Sequence, residues 1–130
     1  MTWLFIAIGS ALGGIARHAA GLLISQRVAT AFPWGTFAVN VLGSFAIGIC
    51  GAFVGQSRDP SAQVVREFVM IGFLGGFTTF SAFSLQTLQL VRDGRASVAI
   101  ANVGGSIVVC LLAVWLGYSI ANRFVGAVSA

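Results

Sequence analysis

The residues most able to do chemistry form one block, Gly75-Gly76-Phe77-Thr78-Thr79-Phe80-Ser81-Ala82-Phe83-Ser84, set in a long apolar run. Paired glycines followed by two β-branched threonines weaken a helix at that point. One reading is a helix broken near mid-membrane. Carbonyls freed on its first half would suit a cation, while amides and the positive dipole end on its second half would suit an anion. Non-helical backbone at that depth survives only where protein or a polar cavity surrounds it. The other reading is an intact helix whose Thr and Ser hydroxyls bond back to their own turn. Past the threonines, Phe80 and Phe83 are three apart and share a helix face; Ser84 and Thr87 continue that side, with Ser81 nearby. A phenyl edge carries partial positive charge and can face an anion without trapping it, and conduction needs binding weak enough for the ion to leave. Phenylalanine in a membrane helix serves equally as lipid-facing or core surface.

Two further polar stripes accompany this block. Thr36, Asn40 and Ser44 lie at i, i+4 and i+8 in a run that is otherwise apolar. Asn40 is well inside that run, where an amide is either functional or makes an interhelical bond, and its NH₂ could donate to an anion. Asn102, Ser106 and Cys110 repeat the spacing further along. Arg17 follows Gly13-Gly14-Ile15-Ala16; it either snorkels to the membrane interface or supplies positive charge to a vestibule. His18 reads as interfacial. No Asp, Glu or Lys stands in the middle of an apolar run, which speaks against a proton-coupled carrier. No nucleophile–base pair or metal-ligand spacing is present, so enzymatic chemistry has no candidate residues. Cys50 and Cys110 fall within apolar stretches and read as small packing residues.

The elements that must position these side chains are membrane helices. Of 130 residues, 58% are hydrophobic and 8% charged, with no lysine, whereas a soluble domain carries about a quarter of its residues charged. So few charges cannot cover a water-soluble globule, and lipid is the remaining solvent. The pI near 10.6 reflects scattered arginines and not a basic patch, so nucleic acid is set aside as a partner. Four runs approach the roughly 20 apolar residues of a membrane span: about 3–24, 33–54, 68–91 and 96–122. The connections are short: Gln26, Arg27 and Thr30; then Gln56 to Arg66, holding Arg58, Asp59 and Pro60; then Arg92-Asp93-Gly94-Arg95. Function must therefore sit within the membrane, in a single four-helix domain over 1–130. The first run begins almost at the N-terminus without a basic flank and reads as a retained helix rather than a cleaved signal.

Loop arginines normally set orientation. Here Arg58, Arg66 and Arg123 fall on one side and Arg27, Arg92 and Arg95 on the other, a tie. A balanced signal permits insertion both ways, and with it an antiparallel homodimer; it equally permits one orientation fixed by another feature. Glycines at four-residue spacing, in Gly9-Ser10-Ala11-Leu12-Gly13 and Gly72-Phe73-Leu74-Gly75-Gly76, together with Ser44 and Gly48, predict close helix packing. Thin helices packed this tightly leave little room for a central pore, so a transport path would use a surface shared between subunits.

These motifs resemble the Fluc (CrcB) fluoride channels. The resemblance runs through Gly13-Gly14-x-x-Arg17, Pro33-Trp34-Gly35-Thr36-x-x-Val39-Asn40-x-x-Gly43-Ser44 and Gly72-Phe73-Leu74-Gly75-Gly76-Phe77-Thr78-Thr79-Phe80-Ser81-x-Phe83, across three of the four helices and in order. It implies an all-α membrane protein whose third helix is broken, assembled as a dual-topology antiparallel homodimer with two fluoride pores. It implies a structural sodium ion at the dimer centre, held by main-chain carbonyls of Gly75 and Thr78 from both subunits. It further implies pores lined by Phe80 and Phe83 from opposite subunits, by Asn40 and Ser81, and by Asn102 and Ser106 of the fourth helix, with Arg17 near a vestibule. The role implied is passive export of cytoplasmic fluoride across the bacterial inner membrane, giving fluoride resistance. The family pattern places Glu where Gln86 stands, Tyr where Asn102 stands and Ser where Cys110 stands.

Two other readings compete. A small dual-topology multidrug exporter needs a membrane-embedded Glu in its first helix; this chain has none there, and Glu67 falls at an expected helix boundary. A non-transporting membrane subunit would explain the glycines and hydroxyls as helix glue. It leaves the Thr-Thr-Phe-Ser-x-Phe block beside Asn40 unexplained.

Overall fold

Lipid tails are as apolar as leucine, so membrane helices associate through close backbone packing rather than through the hydrophobic effect. The structure, a computed structural model, describes residues 2–56 and 60–128. Helices α1 (Thr2–Arg27), α2 (Trp34–Gln56), α3 (Pro60–Val64), α4 (Gly75–Phe77), α5 (Phe80–Arg92) and α6 (Ala96–Val128) account for it, with a π-helical stretch over Val65–Leu74 between α3 and α4. Four spans are long and apolar enough to cross a membrane: Thr2–Arg27, Trp34–Gly55, Ser61–Arg92 and Ala96–Val125. Arg58 and Asp59, expected in the second connection, lie outside the described residues.

The glycine motifs face one another. A Cβ on Gly9 would stand 2.5 Å from the Phe68 carbonyl oxygen and 3.0 Å from the Gly72 Cα, and one on Gly76 would stand 2.5 Å from the Ser10 carbonyl oxygen. Gly13 leaves no room for a Cβ against the Phe73 carbonyl. The motifs of the first and third spans therefore form one seam, parallel in direction. A second seam joins α2 to α6, where Gly48 lies against Val114 and Gly117 against Phe45 with no space for side chains. Helix α2 is thus held between α6 on one side and α1 on the other.

The third span departs from its expected form in two ways. It begins at Pro60 rather than near Phe68. Glu67 accordingly lies inside the helix, buried, instead of at its boundary, and its Oε1 accepts a 2.8 Å bond from Gln63 Nε2. The stretch containing it is wound wide: the Gly75 amide donates to the carbonyls of Met70 and Gly72, the former five residues back. Helical dihedrals then stop at Phe77 and resume at Phe80, with Thr78 (φ −82°, ψ 158°) and Thr79 (φ −152°, ψ 115°) extended. Helix α5 starts with Thr79 as its cap, whose hydroxyl accepts a 3.2 Å bond from the Ala82 amide.

The turn from α5 to α6 closes as its sequence suggests. Gly94 sits at φ 73°, its amide bonding to Val91 at 3.1 Å and the Arg95 amide to Leu90 at 2.8 Å. Those two bonds satisfy carbonyls the helix end would leave open, and the positive φ is why glycine stands there. At the start of α2, Phe32, Trp34 and Phe37 cluster with centroids 4.6 to 5.8 Å apart, and Trp34 Nε1 donates to Thr30 Oγ1 at 3.0 Å.

Since a Cβ at Gly13 meets backbone that cannot swing aside, Gly13→Ala is expected to cost about 1–3 kcal/mol. Gly14→Ala points into open space and should change little. Melting of the two purified variants in detergent checks the contrast.

Candidate functional site

Breaking a helix in an apolar setting strands backbone donors and acceptors that must find partners. A continuous helix would send the Thr79 amide to the carbonyl of Gly75. Here the Thr79 amide donates to Asn40 Oδ1 at 2.8 Å, and Asn40 Nδ2 donates to the Thr79 carbonyl at 3.1 Å. One side-chain amide thus meets both backbone groups of one residue, as a neighbouring peptide would. The Gly75 carbonyl is released from that helical bond. Arg17 Nη1 reaches the next carbonyl of the break, donating to Thr78 at 3.3 Å. Its side chain is half-buried. Gly43 of α2 is pressed against the Thr78 methyl, which fixes α2 at this height.

Two open clefts lie on either side of this junction, and Thr79 lines both. The first, about 430 Å³, brings together Asn40, Ser44, Thr78, Phe80, Phe83 and Ser106, with Gly75 and Cys110 also in its wall. Phe80 and Phe83 have ring centroids 5.4 Å apart at a 42° tilt. Phe80 is 79% exposed, so most of its ring stands clear of the rest of the chain. The second cleft, about 590 Å³, is walled by Arg17, His18, Thr36, Ser81 and Gln86 among others.

Comparison with known proteins agrees with the motifs gathered at this junction. The sequence profile of the family described as CrcB-like protein, Camphor Resistance (CrcB), matches residues 4–118. The chain belongs to the CrcB family. It is 52% identical to the fluoride-specific ion channel FluC of Opitutus terrae over 89% of both chains. It is 50% identical to the protein of the same name from Methylocella silvestris, covering 98% of this chain and 100% of that one. With the FluC protein of Paramagnetospirillum magneticum it shares 47% identity over 95% of this chain and 99% of the relative.

The CrcB chain distributes its candidate residues unevenly. Asn40, Phe80, Phe83 and Ser106 share the first cleft with Gly75 and Thr78, whereas Arg17 and Ser81 lie in the second. Thr87 and Asn102 belong to a polar chain between α5 and α6. Ser106 Oγ reaches Asn102 Oδ1 at 3.5 Å, Asn102 Nδ2 donates to Thr87 Oγ1 at 2.9 Å, and Thr87 Oγ1 donates to the Phe83 carbonyl at 2.8 Å. Asn102 is 1% exposed, so its amide ties the two helices together. The Ser84 hydroxyl is turned back onto the Phe80 carbonyl at 2.9 Å.

Two residues matter more than their sequence suggested. Thr79 supplies the backbone groups that Asn40 holds, the α5 cap and part of both clefts. Its place directly after Gly-Gly-Phe-Thr was the available signal. Gln86, in the second cleft, has a buried Oε1 without a hydrogen-bond partner. The sequence marked it only as a departure, with Gln where the family pattern places Glu.

Asn40→Ala leaves both backbone groups of Thr79 without that partner. At about 1–3 kcal/mol for each buried group left unmade, its melting temperature in detergent should fall well below the parent's. Ala substitution at exposed Ser97 should leave it unchanged.

Proposed function

We propose that this chain is a fluoride-selective channel that works as an antiparallel, dual-topology homodimer and lets cytoplasmic fluoride leave passively across the bacterial inner membrane. The observation that carries the reading is the cleft uniting Asn40, Phe80, Phe83 and Ser106 beside an interrupted helix, in a chain about half identical to channels named for fluoride. The interruption would lie near mid-membrane, between the glycine seam and α5. A small, strongly hydrated anion needs donors to replace its water and weak sites that release it. Asn40 keeps one N–H beyond its bond to Thr79, and phenyl edges offer shallow positive charge.

A second copy accounts for what one protomer leaves open. The Phe80 ring, 79% exposed, would complete a pore wall against the partner, and two clefts per dimer would give two pores. The tie in loop arginines favours no orientation and so supports insertion both ways. Arg17 and Ser81, in the wider cleft, would attract anions towards the narrower one.

A structural sodium ion fits the neutral oxygens at the break. Gly75 and Thr78 both line the first cleft. The Gly75 carbonyl has lost the Thr79 amide to Asn40, while the Thr78 carbonyl accepts one bond from Arg17 and keeps a second lone pair. These carbonyls from two protomers would hold the ion, which would supply fixed positive charge at the dimer centre.

The experiment is efflux from liposomes holding the purified protein, followed with a fluoride electrode and compared with chloride. Rapid fluoride loss with negligible chloride loss is expected. Phe80→Ala should slow fluoride at least about tenfold while the dimer survives, whereas helix glue would lose assembly instead; removing one transition-state contact of about 1.4 kcal/mol has that effect. Asn40→Asp should abolish flux, because a carboxylate repels the anion and offers it no donor. Robust fluoride flux in that variant would take Asn40 out of the lining.

A further inference from the structure

Most hydroxyls around the first cleft have a partner within the protein. Thr78 Oγ1 donates to the Leu74 carbonyl at 2.9 Å. On α5, Ser84 and Thr87 donate to the carbonyls of Phe80 and Phe83 at 2.9 and 2.8 Å. Thr79 Oγ1 accepts from the Ala82 amide and lies 3.3 Å from Ser81 Oγ. Ser106 leans on Asn102 at 3.5 Å, the long limit of a hydrogen bond. Each of these hydroxyls already has a partner in the protein, the Thr79–Ser81 pair sharing one contact.

Ser44 differs. It lines the same cleft, is half-buried and, alone among the cleft-lining hydroxyls, makes no hydrogen bond, not even to the carbonyl of Asn40 four residues back, the usual acceptor for a helical serine. The neighbouring Gly43 is pressed against the Thr78 methyl, so the backbone carrying Ser44 is held beside the break. One turn away, a rise of about 6 Å, stands the second N–H of Asn40. Helix α2 therefore presents two uncommitted side-chain donors in a row on one wall.

We infer that Ser44 is a hydrogen-bond donor to the permeating anion, taking it over from Asn40 one helical turn along the cleft. The inference rests on the fluoride-channel reading above. A hydroxyl donating to an anion makes a short, charge-assisted bond, and a rotatable one releases its ion by turning back to its own helix. Conduction along this wall then runs between donors on α2, with the phenyl rings of α5 opposite supplying shape and edge charge.

The competing reading gives Ser44 only a packing role, as the small partner of Gly48 in a four-residue pair. Fluoride efflux from liposomes holding the full chain separates the two. Ser44→Ala is expected to slow fluoride roughly tenfold, the usual effect of losing one hydrogen bond to a charged group. Ser44→Thr, which keeps a hydroxyl, should restore most of that loss. Ser119→Ala, on α6 outside the cleft, should match the parent. Ser44→Gly serves the same purpose if the alanine variant assembles poorly, and unchanged elution and melting of the dimer exclude a packing defect. Ser44→Ala flux within about twofold of the parent's overturns the inference and leaves the channel reading standing. A parent chain that passes no fluoride overturns the channel reading, and this inference with it.

Discussion

Everything at the junction depends on one side-chain amide doing the work of a peptide. Two residues leave helical geometry in apolar surroundings, and the backbone groups so exposed each cost several kcal/mol if unmatched. Asn40 answers with an acceptor 2.8 Å from the Thr79 amide and a donor 3.1 Å from its carbonyl. Aspartate could accept but not donate, and serine reaches too short and offers one atom. Asparagine is the short side chain carrying both functions in a peptide's arrangement. Once Thr79 is held, its hydroxyl is placed to cap α5, and α5 leaves the junction as a new helix.

That pairing works only if α2 stands at a fixed height against the third span, and the glycines set this height. Gly43 admits the Thr78 methyl, and the Gly48–Gly117 seam locks α2 to α6 with backbone nearly touching backbone. The seam of Gly9 and Gly13 against Gly72 and Gly76 positions α1 in the same way, which brings Arg17 to the Thr78 carbonyl. Close approach substitutes for the hydrophobic drive that lipid withholds. The same tight packing leaves the clefts open at the outer surface of the chain, where Phe80 remains 79% exposed. The proposed second copy would complete that surface.

Much of this was legible beforehand. Four spans follow from the scarcity of charge, and the glycine motifs announced close packing. The weakness at Gly75-Gly76-Phe77-Thr78-Thr79 was visible because propensity is local. Asn40 stood out because an amide is expensive in an apolar helix. What could not be read was the partner of each. The two glycine motifs lie some sixty residues apart, and no periodicity says that they meet. Arg17 was open to two uses, and nothing local said that it would also bond a backbone carbonyl of the break. Glu67, placed at a boundary by hydropathy, lies inside the third span because the helix starts at Pro60, and it is buried there.

The hydroxyls show the division most clearly. By spacing alone Ser44, Ser84, Thr87 and Ser106 are equivalent polar positions. Where each proton goes depends on which carbonyl lies within 3 Å, and that is settled by helix rotation and height. The sequence by itself determined the solvent, the number of spans, the point where the third helix is weak and the side chains too costly to be idle. All of these follow from composition and from interactions within a turn or two. Only the tertiary structure decided which backbone groups Asn40 and Arg17 hold, which hydroxyls are already spent, and how the candidate residues divide between two clefts. Those outcomes turn on ångström-scale distances between segments far apart in the chain, which local pattern does not encode.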